Sequence, residues 1–536
     1  MKSIRLLLAA LLAAPAALAA DAPKETEHPA FQPLTAEEKT SDGSVTIGGK
    51  HIDYQAAIGT LIVHPKGWDD VPRDPAEKDK DSDKDDNPTA EAAMSYVAYF
   101  AHGKPGQNRP VTFIYNGGPG SSSVWLHMGA FGPKRVVTPD DSHAPAAPYP
   151  LVNNEYSLLD ASDLVFIDAP GTGFGRLAGK DKEKAFYGVD QDANAFAEFI
   201  TQFLAKYGRW NAPKYLFGES YGTTRSAALV DLLTSKRAVD VNGVILLSQI
   251  LAFDSNDDNP QDNPGIDLPY ELALPTYAAS AWYHHKLPPD APKELPALIE
   301  EVEHFALNDY ALALLQGAAL APDERKKIVA GLARYTGLPP DYIEKADLRI
   351  NAGEFEKMLQ DDGGTTTGRL DARFSGPTLD PLSKEADYDP QSAAISSAYV
   401  GAFNDYVRKE LKFGEGRTYR LFSEKAGSSW DFKHQPADAH EPLDQAVNVM
   451  PDLAHALKYN PNLKIQLNAG YYDLATPFFE GIYEMRHLPI PARLQGNIEL
   501  KFYESGHMVY AHEPALKALH DNVAAFIRKT DNLPPE

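Results

Sequence analysis

Gly218-Glu219-Ser220-Tyr221-Gly222 sets a serine between two glycines, directly after the apolar run Tyr215-Leu216-Phe217 and before a helical stretch from Thr223 to Leu233. A serine in such a strand–turn–helix elbow sits on a sharp, strained turn that projects its hydroxyl into solvent. A side chain at either glycine would collide with the neighbouring strand or helix. The hydroxyl is a weak nucleophile until a base takes its proton, so the chain should also supply a histidine and a carboxylate to orient it.

In the elbow-bearing α/β-hydrolase fold those partners follow the serine in the order acid, then histidine. Leu463–Leu467 reads as a strand, and Asn468-Ala469-Gly470-Tyr471-Tyr472-Asp473 follows it as a loop. Glu499–Tyr503 reads as another strand, followed by Glu504-Ser505-Gly506-His507-Met508-Val509. Asp473 and His507 therefore lie beyond strand carboxyl ends, where the catalytic groups of open α/β sheets gather. Asp452 and Asp444 compete with Asp473 but lack that placement, and His284 and His285 read as packing residues of an aromatic helical stretch. A tetrahedral intermediate also needs inward-facing donors. The run Val111–Tyr115 leads into Asn116-Gly117-Gly118-Pro119-Gly120-Ser121-Ser122-Ser123, whose glycines leave backbone N–H groups unobstructed.

These pieces need a sheet to hold them. Ser95–Phe100, Val111–Tyr115, Leu164–Ile167, Lys214–Phe217, Val244–Leu247 and Lys464–Leu467 are short apolar runs separated by longer helical stretches. That pattern marks a mostly parallel sheet covered on both faces. Phe196, Phe199, Ile200 and Phe203 recur at helical spacing within Gln191–Tyr207. Val45–His64 is strand-like, with a turn at Gly48-Gly49. Glu294–Gln316, Pro322–Thr336 and Ser392–Lys412 read as helices of an insertion. The expected map is a signal peptide at 1–19, a flexible arm at 20–43, an α/β-hydrolase domain at 44–264 and 441–536, and a mainly helical cap at 265–440. Within the domain, 65–91 reads as an acidic disordered loop. No repeat of 20–50 residues is present.

Taken together, Asn116-Gly-Gly-Pro-Gly-x-Ser-Ser, Gly218-Glu-Ser-Tyr-Gly and Gly506-His-Met-Val resemble the serine carboxypeptidase family, in particular its bacterial exported members. Asn154-Glu155-Tyr156-Ser157 and Asp168-Ala169-Pro170-Gly171-Thr172-Gly173-Phe174-Gly175 match two further landmarks of that family. The glycine run 171–175 lacks the spacing and βαβ context of a dinucleotide loop. The resemblance implies that Ser220 attacks a carbonyl, His507 shuttles the proton and Asp473 orients the imidazole. It further implies an oxyanion hole from the N–H groups of Gly118 and Tyr221, and a site for the substrate's free C-terminal carboxylate at Asn116, Gly117 and Glu219. A Glu binds a carboxylate only if one of the two is protonated, which implies an acidic optimum for peptide cleavage. The family commonly places a second carboxylate-binding Glu two residues before the Gly-Pro of this loop, where Ala130 stands here. An esterase or acyltransferase with the same triad is therefore the alternative, and a binding protein with a dead site a more distant one.

The composition fits an ordinary soluble globular protein, with 43% hydrophobic and 24% charged residues among 536. A formal net charge of −24 argues against nucleic acid or an anionic membrane as partner. Lys2 and Arg5 precede the apolar run Leu6–Leu18 and the small-x-small site Ala17-Leu18-Ala19, which reads as a cleaved export signal too short to span a bilayer. The expected location is periplasmic or extracellular, with no membrane anchor. There is no cysteine, so disulfides and a thiol nucleophile are excluded. Asp254-x-Asn256-x-Asp258 lacks the Gly and Glu of a Ca²⁺ loop, with Asn259 and Gly265 at those places, and reads as an acidic surface turn. No zinc motif is present and no cofactor is called for.

Overall fold

The computed structural model describes residues 33–68, 89–103, 109–258, 260–437 and 439–534. The expected signal peptide, most of the arm and the acidic stretch 69–88 lie outside these residues.

Nine strands form the path of the central sheet: β1 (Glu38–Ile47), β2 (Lys50–Val63), β3 (Glu91–Ala101), β4 (Val111–Tyr115), β5 (Asp163–Ile167), β6 (Lys214–Ser220), β7 (Gly243–Gln249), β8 (Lys464–Gly470) and β9 (Ile498–Tyr503). Their spatial order is β1-β2-β3-β5-β4-β6-β7-β8-β9. The first three strands and β5 pair antiparallel, whereas every pairing from β5 to β9 is parallel. This is the mostly parallel, helix-flanked sheet of the α/β-hydrolase fold. All carboxyl ends of its parallel half point to one edge, where such sheets gather their reactive groups.

Alternation along the strands feeds two separate apolar layers. Tyr215, Phe217, Ile245 and Leu247 face a cluster with Tyr399, Phe403, Leu519 and Phe526. Leu216, Val244, Leu246 and Ile465 face the opposite one, with Phe196, Phe199, Ile200 and Phe203. Those four side chains are the apolar stripe of α1 (Val189–Lys206). Each is fully buried, a contribution of roughly 1.5–3 kcal/mol apiece. Asp190 and Asp192 in its first turn complement the positive end of the helix dipole.

The next helix, α2 (Tyr221–Lys236), leaves β6 with no connecting loop. Between β7 and β8 the chain runs through α3 (Leu268–Tyr283), a broken helix over 295–316, α4 (Pro322–Thr336), α5 (Ala352–Met358), α6 (Pro390–Lys409) and α7 (Met450–Tyr459). A short hairpin, Thr365–Thr367 with Ser375–Pro377, interrupts the helices. The chain then completes β8, α8 (Phe478–His487), β9 and α9 (Glu513–Thr530). The insertion's apolar core is shared with the loop after β8: Leu274, Leu298 and Phe355 join Tyr472, Leu474 and Phe478 in one cluster.

Two local expectations are corrected. The supposed arm already contains β1 from Glu38, paired in continuous register with β2 through the Gly48-Gly49 turn. Its polar residues fit an edge strand, where few side chains are covered and charge discourages pairing with other chains. The supposed surface turn at Asp254–Asp258 is largely internal, because Ser255, Asn256 and Asp257 are buried. Asn256 donates to Ala475 O at 3.2 Å and to Glu480 Oε2 at 3.0 Å, bonds that hold the segment against the loop after β8.

Candidate active site

Ser220 ends β6 and precedes the first turn of α2, with φ +61° and ψ −132°. That left-handed conformation is costly for a residue with a side chain and persists only where its surroundings impose it. The flanking glycines follow from contact. A Cβ on Gly218 would run into the carbonyl of Gly222, and a Cβ on Gly222 would come within 3.0 Å of Tyr115 O in β4. The hydroxyl-bearing residue is half-buried while both neighbours, Glu219 and Tyr221, are buried.

Asp473 and His507 meet one another. Nδ1 of His507 lies 2.8 Å from Oδ2 of Asp473, and the aspartate is fully buried. Its carboxylate also accepts from Ala475 N (2.9 Å), Thr476 N (3.0 Å) and Thr476 Oγ1 (2.6 Å). With Nδ1 engaged, Nε2 is the ring nitrogen left for chemistry. Burial pulls the imidazole pKa down, but the Asp473 charge and hydrogen bond, aided by Glu219, outweigh it and leave His507 above its ordinary value. Ser248, at a bulge in β7 next to the Ser220 pairing, donates to His507 O at 2.7 Å and ties that loop to the elbow strands.

Glu219 lies inside the same group. It is buried, and Tyr510 donates to its Oε2 at 2.8 Å. Burial is the main cause that pushes its carboxyl up to about 7, with the Asp473 charge adding to it and His507, Tyr510 and Asn116 opposing it. Asn116 Oδ1 accepts from Leu126 N at 3.2 Å. Arg225 donates to Asn116 O at 2.8 Å and pairs with Asp192 at 2.5 Å; both charged side chains are fully buried.

The glycine loop packs on the start of α2. A Cβ on Gly117 would strike Tyr221 N, Gly222 N and Glu219 O, while Gly118 takes φ +106°. The backbone N–H groups of Gly118 and Tyr221 thus belong to segments in direct apposition. Asp168 anchors the far end of the loop by accepting from Ser123 N (2.9 Å), Ser123 Oγ (3.0 Å) and Tyr419 OH (2.9 Å). The Gly171–Gly175 run clears space for it, since a Cβ on Gly173 would collide with the Asp168 carboxylate. Asn154 holds the helical turn Leu126–Phe131 through Ala130 O (2.7 Å) and Gly132 O (2.8 Å).

The rejected candidates sit elsewhere. Asp452 is bonded to His434, Asp444 is exposed, and His284 approaches Ala372 O. Sequence reading missed Tyr510, Thr476 and Ser248. The first two lie three residues after His507 and Asp473, a spacing that could have drawn notice once those two were chosen. Among the described residues, no group of three or more His, Cys, Asp or Glu is arranged to hold a metal ion.

The family model for serine carboxypeptidases matches residues 85–265, a span that carries the glycine loop, the Asp168 motif and the elbow. Residues 85–265 are similar to the serine carboxypeptidase family. Asp473 and His507 lie beyond the matched serine carboxypeptidase segment and join it only through the fold. Serine carboxypeptidase-like 36 of Arabidopsis thaliana is 25% identical over 164 residues, or 29% of this chain. The chain spans 31% of that relative's length. Similar solved structures include the peroxisomal alpha-beta-hydrolase Lpx1 of Saccharomyces cerevisiae, at 10% identity over 94% of this chain and 91% of that one, TM-score 0.33. Proline iminopeptidase of Mycobacterium smegmatis is another, at 12% identity over 92% and 99%, TM-score 0.33.

Proposed function

We propose that this serine hydrolase is an exported serine-type carboxypeptidase, in which Ser220, His507 and Asp473 form the triad. The observation that carries the reading is a buried acid, Glu219, placed immediately before the elbow serine with its carboxyl pushed up to about 7.

In the first step Ser220 Oγ attacks the scissile carbonyl as His507 Nε2 takes its proton. The imidazolium so formed is held by Asp473, whose other lone pairs are already occupied by two backbone N–H groups and a hydroxyl. The oxyanion is received by the N–H groups of Gly118 and Tyr221, the latter at the positive end of α2. His507 returns the proton to the leaving amine, and water then repeats the sequence on the acyl-enzyme. Glu219 in its acid form, with Asn116 and the Gly117 N–H, accommodates the substrate's terminal carboxylate. The neutral acid is needed because two carboxylates in contact repel strongly.

Substrates are peptides or proteins with a free C-terminus. Export is supported by Lys2, Arg5, the Leu6–Leu18 run and Ala17-Leu18-Ala19. Among the described residues no helix is long and apolar enough to cross a membrane.

Ala130 favours a second reading, an esterase or acyltransferase with the same triad. It is buried beside Gly129, where an added Cβ would strike the rings of Tyr399 and Tyr510, so the surroundings are apolar and phenolic. Hydrolysis of a blocked dipeptide, compared with its C-terminal amide, separates the two. A carboxypeptidase loses most activity on the amide; equal rates on both, with an ester cleaved fastest, point to the second reading. A fluorophosphonate adduct on Ser220, absent in Ser220→Ala, tests the shared triad.

A further inference from the structure

The loops carrying Asp473 and His507 are each hydrogen-bonded to one short segment of the helical insertion, Arg369–Arg373. On one side, Leu474 N donates to Arg369 O (3.0 Å) and Ala372 N donates to Tyr472 O (2.9 Å), so the segment holds the residues before and after Asp473. On the other, His507 N donates to Leu370 O (2.6 Å) and Gly506 N to Asp371 Oδ2 (3.1 Å). Five consecutive residues thus bridge both loops at the peptide units that flank or carry the imidazole and the carboxylate. Gly506 is a glycine because of this contact: a Cβ there would collide with Leu370 O and with Asp371 Cα and Cβ.

The segment is itself braced from within and from behind. Asp371 is fully buried, and its Oδ1 accepts from Arg373 N and Nε at 3.0 Å each, while Oδ2 accepts from Arg373 Nη2 at 2.6 Å. Behind it, Asp389 Oδ1 accepts from Arg369 N (2.8 Å) and Leu370 N (3.2 Å). The other oxygen of Asp389 caps α6 through Ser392 N (2.7 Å) and Ser392 Oγ (2.6 Å). A buried carboxylate is expensive unless it is fully satisfied, and Asp371 devotes one oxygen partly to the residue next to His507.

We propose that Arg369–Arg373 is the positioning strap of the site, with Asp371 and Asp389 as positioning residues that keep the His507 imidazole in register with Asp473. The cap thereby helps to assemble the proton-transfer machinery. The proposal rests on the roles given above to Ser220, His507 and Asp473. Neither Asp371 nor Asp389 touches the reacting atoms. Loosening the strap lets the two loops drift apart, and a displacement of about 1 Å at a proton-transfer pair costs on the order of 100-fold in rate.

The test uses the full chain with Asp389→Ala, Asp389→Asn and Asp371→Asn, each checked by its melting temperature and assayed at least 15 °C below it. Four readouts apply: kcat, KM, the rate of fluorophosphonate adduct formation at Ser220, and the low-field proton resonance of the His507–Asp473 hydrogen bond. For D389A the expected result is a fall of about 10- to 100-fold in kcat and in adduct rate, KM within about twofold, and a broadened or lost resonance. D389N keeps an acceptor for the two strap N–H groups and restores most of the rate. D371N keeps one for Gly506 N and falls between D389A and wild type. Wild-type adduct rates and an intact resonance in folded D389A and D371N would overturn the strap while leaving the triad standing. Wild-type protein that forms no adduct on Ser220 would instead overturn the triad reading. If D371N does not fold, D389A, on a half-buried residue paired to backbone and hydroxyl donors, decides alone.

Discussion

The phenol of Tyr510 donates a 2.8 Å hydrogen bond to Oε2 of Glu219, the residue that immediately precedes Ser220. Both side chains are buried, and burial holds the phenol pKa well above its ordinary value, so Tyr510 stays a donor at any pH the enzyme meets. With one carboxyl oxygen so occupied, a protonated Glu219 is left with its own O–H to offer to an anionic ligand.

Tyr510→Phe removes one of the interactions that favour ionised Glu219. The acid form then persists to higher pH, and the alkaline limb of kcat/KM for a substrate with a free carboxylate moves up from about 7. The check is a pH profile on a blocked dipeptide; a limb that stays put or moves down contradicts the assignment.

Stability carries the same signature. The folded carboxyl titrates near 7 instead of near 4.5, so ionising Glu219 works against the fold. Its contribution is fully present below about 4.5 and is lost as pH rises through 7, by about 3 kcal/mol in all. Glu219→Gln does not titrate. Thermal melts should show E219Q gaining on wild type between pH 5 and pH 8, and a constant difference would count against a raised pKa.

Arg225 is fully buried against Asp192, stacks 4.3 Å from the Phe196 ring centroid and donates to Asn116 O. Arg225→Met strands the Asp192 charge in the interior and should cost about 3–5 kcal/mol. The double variant Arg225→Met, Asp192→Leu removes both charges and should recover most of that loss. Denaturant titration of the three proteins measures it; additive losses would mean the pair is not the operative contact.

His434 is clamped between Asp190 Oδ1 (2.6 Å) in α1 and Asp452 Oδ2 (2.9 Å) in α7. Burial pulls its pKa down, but the two carboxylates outweigh it and push it up to about 9. A raised pKa means that the clamp stabilises fully below about 6.5 and fades as pH climbs through 9. The urea midpoint of His434→Gln should therefore lie well below wild type at pH 6 and close to it at pH 10. Equal gaps at both values would show that the ring acts by packing alone.

What could be read from the chain was local. The elbow was legible because glycine at 218 answers to a contact within one turn, with Gly222 O, and the apolar runs from Val111 to Leu467 announced strands buried on both faces. The acid and histidine loops were legible as breaks after such runs. The edge strand β1 was not, because exposed positions carry no period that distinguishes strand from coil.

Residues whose partners lie far along the chain left no local trace. Leu370 meets His507, Tyr510 meets Glu219 and Asn256 meets Ala475 across separations of 137, 291 and 219 positions. The segment Gly368–Arg373 is a polar stretch between helices, and nothing in its composition says that it bridges two loops a hundred or more residues downstream. The kinds of side chain present and the local conformation that each can adopt are written in the order of residues. Which buried charge faces which, and hence whether Glu219 is an acid or a carboxylate at neutral pH, depends on distances and solvent exclusion that arise once sheet, cap and loops have packed together.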